Sequence, residues 1–423
     1  MLNISPFKAL RPGEESVRSV AAPPYDVVGL TEANKLLAAN PLSFIQVEKT
    51  GAGLPAEVAP EDEQAYRHSR LNLERLKNEG VLCQDEQDCF YLYRLIRQGH
   101  EQIGLVSCLN IDQYERGLIK RHELTRTDKE LDRIRHIMAL EAQTGPVFIA
   151  YRAVDAIDRL VAGLIAGEPE YQFGTDDGVA HTVWVIRRNE DIESLQMAFS
   201  RLDALYIADG HHRAAAAAEA AKRKNRLLPD DHDSHRWDYM LAVLFPHDQL
   251  QILPYNRVVK GLNALSDEEF LKKIRQNFIV RINAGIKTPD LTGAHCLYFR
   301  NQWHHLQVRH GLFRQDDPVA SLPAQILQDH LLAPVLGIDD PRSSERLDFV
   351  GGVHGTEELE RLVDSGGFDM AFSLPPATIE ELMRVADAKL LMPPKSTWFE
   401  PKLRSGIFTH LLTSQPIAHA QPK

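Results

Sequence analysis

Five consecutive residues carry an unusual density of chemistry: Asp209, Gly210, His211, His212 and Arg213. They stand between an apolar stretch, Leu205–Ala208, and a run of alanines. The apolar stretch reads as a strand, Asp-Gly as a sharp turn, and the alanines as a helix. A helix start presents outward-pointing N–H groups and the positive end of the dipole, which together suit an anion. Gly210 lets a phosphate come close to the backbone. Arg213 can fork onto two phosphate oxygens. His211 and His212 can donate hydrogen bonds or relay a proton near neutral pH. Asp209 can cap the helix, orient a histidine or hold Mg²⁺. A purely structural role would leave Asp209 as a helix cap with two surface histidines. Metal ligation by Asp209, His211 and His212 is awkward, because adjacent side chains at a helix start diverge by about 100°.

Three further segments carry candidate groups. In Arg121–Thr125 a histidine and an acid, His122 and Glu123, precede a hydroxyl. Asp132, Arg133 and His136 follow at helical spacing, so Asp132 and His136 share a face. Pro23 and Pro24 stiffen the backbone ahead of Tyr25 and Asp26. Lys395, Ser396 and Thr397 follow Pro393-Pro394, an order that echoes the end of a P-loop without its glycine-rich arch. The glycine-rich Phe349–Leu359 stretch lacks GxGxxG and reads better as a turn and helix cap.

Periodicity predicts the elements that must position these groups. A helix follows the acidic loop Gly51–Gln64 and stops at Gly80. Cys89–Ile111 reads as a hairpin about Arg97–Glu101, and Asp128–Gln143 as a charged helix. Strands are expected at Pro146–Arg152, Asp177–Arg188, Ala204–Gly210, Trp237–Pro246 and Leu250–Val259. Helices are expected after Arg213, at Leu265–Phe278 with a Ser266/Glu269 capping box, near Pro323–Leu332, at Glu357–Ser365 and at Ala377–Asp387. Alternating strands and helices with a hairpin imply an α/β or α+β fold, a mixed sheet with flanking helices. The expected division is residues 1–250, an N-terminal α/β domain carrying the Asp209–Arg213 turn; 251–414, a C-terminal α/β portion carrying Lys395–Thr397; and 415–423, a flexible tail.

The chain has 423 residues and a formal charge of −11, which argues against nucleic acid or a membrane surface as partner. No apolar run approaches the roughly 20 residues that span a bilayer. The start has no signal-peptide pattern, and Cys83, Cys89, Cys108 and Cys296 lack CxxC spacing. They read as reduced, buried thiols of a cytoplasmic protein.

The Asp209–Ala217 stretch resembles the phosphate-binding turn of the ParB/sulfiredoxin superfamily, where a Gly-x-x-Arg turn opens a helix against nucleotide phosphates. Over most of its length, the chain also resembles the uncharacterised DUF1015 family. The match is carried by Ala21–Val28, Ile119–His136, Tyr206–Arg213 and Met392–Lys402. The first resemblance implies a ParB/sulfiredoxin-like strand–turn–helix core in which Gly210, His211, His212 and Arg213 cradle phosphate and Asp209 anchors them. Sulfiredoxin's catalytic cysteine has no counterpart in this turn. Free-serine kinases in that superfamily make a small hydroxy amino acid the expected acceptor, with ATP, ADP or pyrophosphate as donor and Mg²⁺ carried mainly on its phosphates.

The resulting expectation is a small-molecule phosphotransferase. Glu123, beside His122, is the favoured base and Asp26 the other candidate, with His212 and Asp209 assisting. Gly210, His211, Arg213, Lys395, Ser396 and Thr397 would hold the donor, and Tyr25, Asp26, Arg133 and His136 the substrate. A ParB-like nucleotidase or regulatory protein, and a metal-dependent hydrolase using His122, Glu123, His211 and His212, remain as alternatives. Oligomeric state is left open.

Overall fold

The computed structural model describes residues 1–227, 234–283, 285–289, 291 and 293–413. The expected tail, 415–423, lies outside the described residues. The chain divides into two compact units. The first comprises Met1–Lys120, Leu124–Leu250 and the segment from Pro401 onward; the second comprises Arg121–Glu123 and Gln251–Glu400. The C-terminal portion expected from sequence runs on to residue 414. The chain instead rejoins the first unit at Pro401, because Thr409–Leu411 pairs as a strand with Ala9–Pro12 and Ala142–Gln143.

The first unit is built on a nine-stranded mixed sheet. From one edge its strands run Ile119–Lys120, Leu205–Asp209, Val147–Tyr151, Tyr239–Pro246, His100–Asn110, Phe90–Arg97, Ala180–Ile186 and Tyr171–Gly174. Ile4–Ser5 pairs as a further strand with His100–Asn110. Leu205–Asp209 lies parallel to Ile119–Lys120 and antiparallel to Val147–Tyr151, which is itself parallel to Tyr239–Pro246. The hairpin forms as its pattern requires, closing at Arg97 and His100.

Helices Thr127–Leu140 and His211–Leu227 pack on each other. The alanine run makes this close approach possible, since Ala214, Ala216, Ala217, Ala218, Ala220 and Ala221 are all buried in the main core. The first of these helices, expected to reach Gln143, stops at Leu140. There Glu141 takes the left-handed conformation (φ 48°) and Ala142–Gln143 peel off to pair with Thr409–Leu411. The second starts at His211, earlier than expected, so His211, His212 and Arg213 form its first turn.

The second unit holds a six-stranded sheet in the order Phe278–Arg281, Gln302–Val308, Ala294–Phe299, Met370–Ser373, Tyr255–Val259, Leu347–Gly351, with every pairing antiparallel. The expected strand Leu250–Val259 is two strands broken at Pro254, which has no N–H for a ladder. Gln251–Leu253 pairs separately with Trp398–Glu400. Both helices Asp267–Asn277 and Ile379–Asp387 begin with complete capping boxes, Ser266/Glu269 and Thr378/Glu381. All four cysteines are free; three are buried as expected, while Cys83 is exposed. No helix among the described residues is long and apolar enough to cross a membrane.

Candidate functional site

The Asp209–Arg213 turn lies wholly in the first unit, at the end of an irregular strand. Ile207 pairs with Ile149, yet Asp209 pairs with Phe148, so the strand bulges between them. Bulges of this kind re-aim the side chain that follows. Gly210 then takes φ +94°, a conformation glycine adopts at little cost. The first intrahelical bond runs from the Ala214 N–H to the Gly210 carbonyl at 3.0 Å. The donors of the preceding turn therefore point out of the helix start.

Asp209 is fully engaged. Its Oδ1 accepts from the Gly210 N–H at 2.7 Å and its Oδ2 from the Lys402 ammonium at 2.8 Å. Burial alone would raise its pKa, but the Lys402 and Arg213 charges and these hydrogen bonds outweigh it and hold the carboxyl well below the usual carboxylate range. Asp209 is thus a permanent anion near neutral pH.

The Arg213 guanidinium folds back over Gly210: a Cβ there would stand 3.1 Å from Cζ and Nε. Nη1 donates to the Pro146 carbonyl. Nη2 lies 3.9 Å from both Asp209 Oδ1 and Asp26 Oδ2. Nε is buried and has no acceptor among the described residues. Such an unsatisfied buried donor costs about 1–3 kcal/mol, a penalty that an incoming anion would cancel.

Beside Arg213 a cavity of about 20 Å³, enough for one water, is lined by Glu48, Arg133, His136, Thr144 and Gly145. Glu48 is only 2% exposed and accepts from the Thr144 hydroxyl. Burial pushes its carboxyl up, against the opposing pull of Arg133. Arg133 is braced on all sides. Its guanidinium pairs with Asp132 at 2.7 Å, donates to the Glu48 carbonyl at 3.3 Å and the Thr50 hydroxyl at 3.1 Å, and stacks on the Tyr25 ring at 3.9 Å. His136 donates from Nε2 to the Val47 carbonyl at 2.8 Å. Burial, with Arg133 nearby, pushes its pKa down to about 3, so the ring is neutral. Asp132 receives the Tyr66 hydroxyl at 2.8 Å. Arg133 and His136, the expected substrate-binding pair, both line this cavity and tie the helix to Val47, Glu48 and Thr50.

His212 accepts the Arg126 N–H on Nε2 at 2.9 Å, which places its own proton on Nδ1 and links the starts of the two helices. His211 is buried.

The second unit holds the remaining expected residues, His122, Glu123, Lys395, Ser396 and Thr397. His122 is buried, and its carbonyl accepts from the Met392 N–H at 2.8 Å, so the His122–Glu123 segment adjoins the chain leading into Pro393–Thr397. Ser396 turns its hydroxyl onto the Pro393 carbonyl at 2.7 Å, and the Lys395 ammonium sits 5.5 Å above the Tyr255 ring.

Sequence reasoning missed Glu48, Thr144 and Lys402. Glu48 and Thr144 stand in ordinary-looking stretches, and no spacing signals their pairing. Lys402 does carry a signal, closing the segment Met392–Lys402, but Lys395 stands out more because two hydroxyls follow it.

The family model described as "Protein of unknown function (DUF1015)" matches residues 4–326. No curated protein matches the chain. Among solved structures, a free serine kinase in complex with AMP is 14% identical, covering 70% of this chain and 86% of its own at a TM-score of 0.36. A conserved hypothetical protein from Pyrococcus furiosus is 13% identical, covering 72% and 95% at 0.35. SbnI from Staphylococcus aureus is 10% identical, covering 74% and 90% at 0.38.

Proposed function

The chain belongs to the DUF1015 family of proteins of unknown function, and we propose that it transfers a phosphoryl group from a nucleotide or pyrophosphate to a small hydroxyl compound. One observation carries this reading: Arg213 is fixed over Gly210 at a helix start, with a buried Nε–H that lacks an acceptor among the described residues. A phosphate oxygen in front of that turn would satisfy Nε, meet the helix-start donors and lie on the positive end of the dipole. Lys402, held by Asp209, would add a second cation.

In this reading Asp209 is a positioning residue. Held so far below the ordinary range, it cannot take a proton near neutral pH. Glu123, the base favoured from sequence, belongs to the second unit, so within the first unit the base is Asp26, whose Oδ2 stands 3.9 Å from Arg213. As the acceptor oxygen forms its bond to phosphorus, the bond to the donor's bridging oxygen breaks, the acceptor proton passes to that carboxylate, and the shortened donor leaves. A Mg²⁺ carried on the donor phosphates would neutralise charge building on the transferring group. The DGHHR resemblance makes serine the first acceptor to try.

The test is ³¹P NMR of the full chain with Mg²⁺, L-serine and, separately, ATP, ADP or pyrophosphate, with Arg213→Lys alongside. A phosphomonoester formed by the intact chain and lost in the variant supports the reading. Donor breakdown without a phosphomonoester points to a nucleotidase. Unchanged donor in every tube overturns the reading, and metal analysis then tests a hydrolase.

A further inference from the structure

The chain rejoins the first unit along an extended strap that starts at Pro401, and two basic residues leave it to meet different acids. The Pro401 carbonyl accepts from the Gln102 amide at 3.4 Å. Ser405 and Ala22 exchange backbone hydrogen bonds at 2.9 and 3.1 Å, and Phe408 meets the Tyr91 and Tyr93 rings at 5.2 and 5.8 Å. Between these anchors Lys402 reaches Asp209 at 2.8 Å, while Arg404 reaches the turn at 175–178. There its Nη2 pairs with the Asp177 carboxylate and donates to the Thr175 hydroxyl at 3.2 Å. The Arg404 side chain is 10% exposed and that of Asp177 51%, so the cation is largely shielded from the solvent that weakens surface ion pairs.

A buried hydrogen-bond chain braces that turn. Thr175 donates to Asp177 Oδ1 at 2.6 Å, so its oxygen accepts from its other two partners, Arg404 and, at 3.1 Å, His181 Nε2. His181 therefore carries its proton on Nε2 and accepts the Tyr93 hydroxyl on Nδ1 at 2.8 Å. The ring is neutral, as this requires: burial, with Arg404 nearby, pushes its pKa down to about 3. It also stacks on Tyr93 and Phe173, at 5.8 and 4.8 Å. Each donor along Tyr93, His181 and Thr175 has an acceptor, and a fully satisfied buried network is rigid. Arg404 thus docks on a carboxylate whose position is set from inside the fold.

We propose that Arg404 is a positioning residue for Lys402: docked on Asp177 and Thr175, it fixes the strap so that the Lys402 ammonium stays on Asp209 beside the Gly210 turn. A lysine is a point charge on a flexible stem, so where its ammonium settles depends on where its backbone is held. Two residues of extended backbone span about 7 Å, so a strap held at Arg404 leaves Lys402 little room to slip. The service of Lys402 to an incoming phosphate rests on the function proposed above; the hold of Arg404 on Lys402 does not.

The experiment is ¹³C NMR of the Asp209 carboxyl, assigned with Asp209→Asn, during acid titration of the full chain. In the parent the resonance should remain that of a carboxylate as far as the fold survives. In Lys402→Met, Asp209 should begin to titrate within the folded range, because its first counter-charge is gone. Arg404→Met should do the same, and so should Asp177→Ala, a half-exposed turn position that serves where Arg404→Met does not fold. Added to Lys402→Met, Asp177→Ala should shift Asp209 no further. A parent-like titration in either folded variant overturns the role, as does a further shift in the double variant. Isothermal titration with ADP separates this claim from the proposed function. Binding weakened roughly tenfold by Asp177→Ala, but not in the Lys402→Met background, supports both. A parent that binds no ADP, with Asp209 still shifting in the variants, removes the phosphate reading and supports the hold of Arg404 on Lys402.

Discussion

The Lys402 ammonium meets the Asp209 carboxylate at 2.8 Å, across 193 residues of sequence. One end of this pair closes the strand Leu205–Asp209, and the other lies on the segment that rejoins the first unit at Pro401. The contact fixes the acid that orients the Gly210 turn, and it defines how the turn should respond to pH.

Asp209 has a folded pKa below its unfolded value, so its contribution to stability is complete above the unfolded carboxylate value of about 3.9 and is lost as pH falls below that point. Asp209→Asn should therefore flatten the acid limb of a Tm-against-pH curve. An acid limb identical to that of the parent chain would show that the pair contributes nothing.

Glu48 has the opposite sign. Burial raises its folded pKa, so it favours the fold most below the unfolded value of about 4.3 and progressively less as pH climbs towards the raised one. Glu48→Gln removes the titration and can still accept from Thr144. Urea unfolding of the variant should show less loss of stability than the parent between about pH 4.3 and neutrality.

Gly210→Ala should cost about 1–2 kcal/mol from positive φ alone, and should also displace the guanidinium 3.1 Å from the new Cβ. Gly80, at φ +71°, has nothing within 4 Å of the position a methyl would take. Gly80→Ala is the control, carrying the backbone penalty alone. Isothermal titration with ADP should find weaker binding in Gly210→Ala only.

Arg133→Met should lower unfolding free energy by about 3–5 kcal/mol, because Asp132 would stay behind as a partly buried, uncompensated charge. Chemical denaturation measures this directly. A change under about 1 kcal/mol would mean that stacking and hydrogen bonds around Arg133 are replaceable.

In the second unit, Ser266→Ala and Thr378→Ala should each cost about 1 kcal/mol, because each removes the acceptor for a helix-start N–H. Differential scanning calorimetry resolves losses of that size.

Local chemistry is readable from the chain itself. Apolar period, Asp-Gly and alanine runs are enough to specify the strand, turn and helix at Leu205–Leu227, because each acts over a few residues. The capping boxes at Ser266 and Thr378, and the hairpin at Arg97–His100, follow from similarly short-range rules. Where local rules mislead, a partner from far along the chain intervenes. The helix expected to reach Gln143 stops at Leu140 because Thr409–Leu411 offers Ala142–Gln143 a strand to join. Arg133 and His136 look like ligand-binding residues in sequence; in the fold Arg133 donates to Asp132, the Glu48 carbonyl and the Thr50 hydroxyl, and His136 to the Val47 carbonyl, partners that no local rule signals. Glu48 against Thr144, Lys402 on Asp209 and Arg404 on Asp177 belong wholly to the tertiary structure. The sequence by itself determined which short segments could bind an anion; only the fold decided which charges meet, because burial and partners separated by tens to hundreds of residues set the electrostatics of each group.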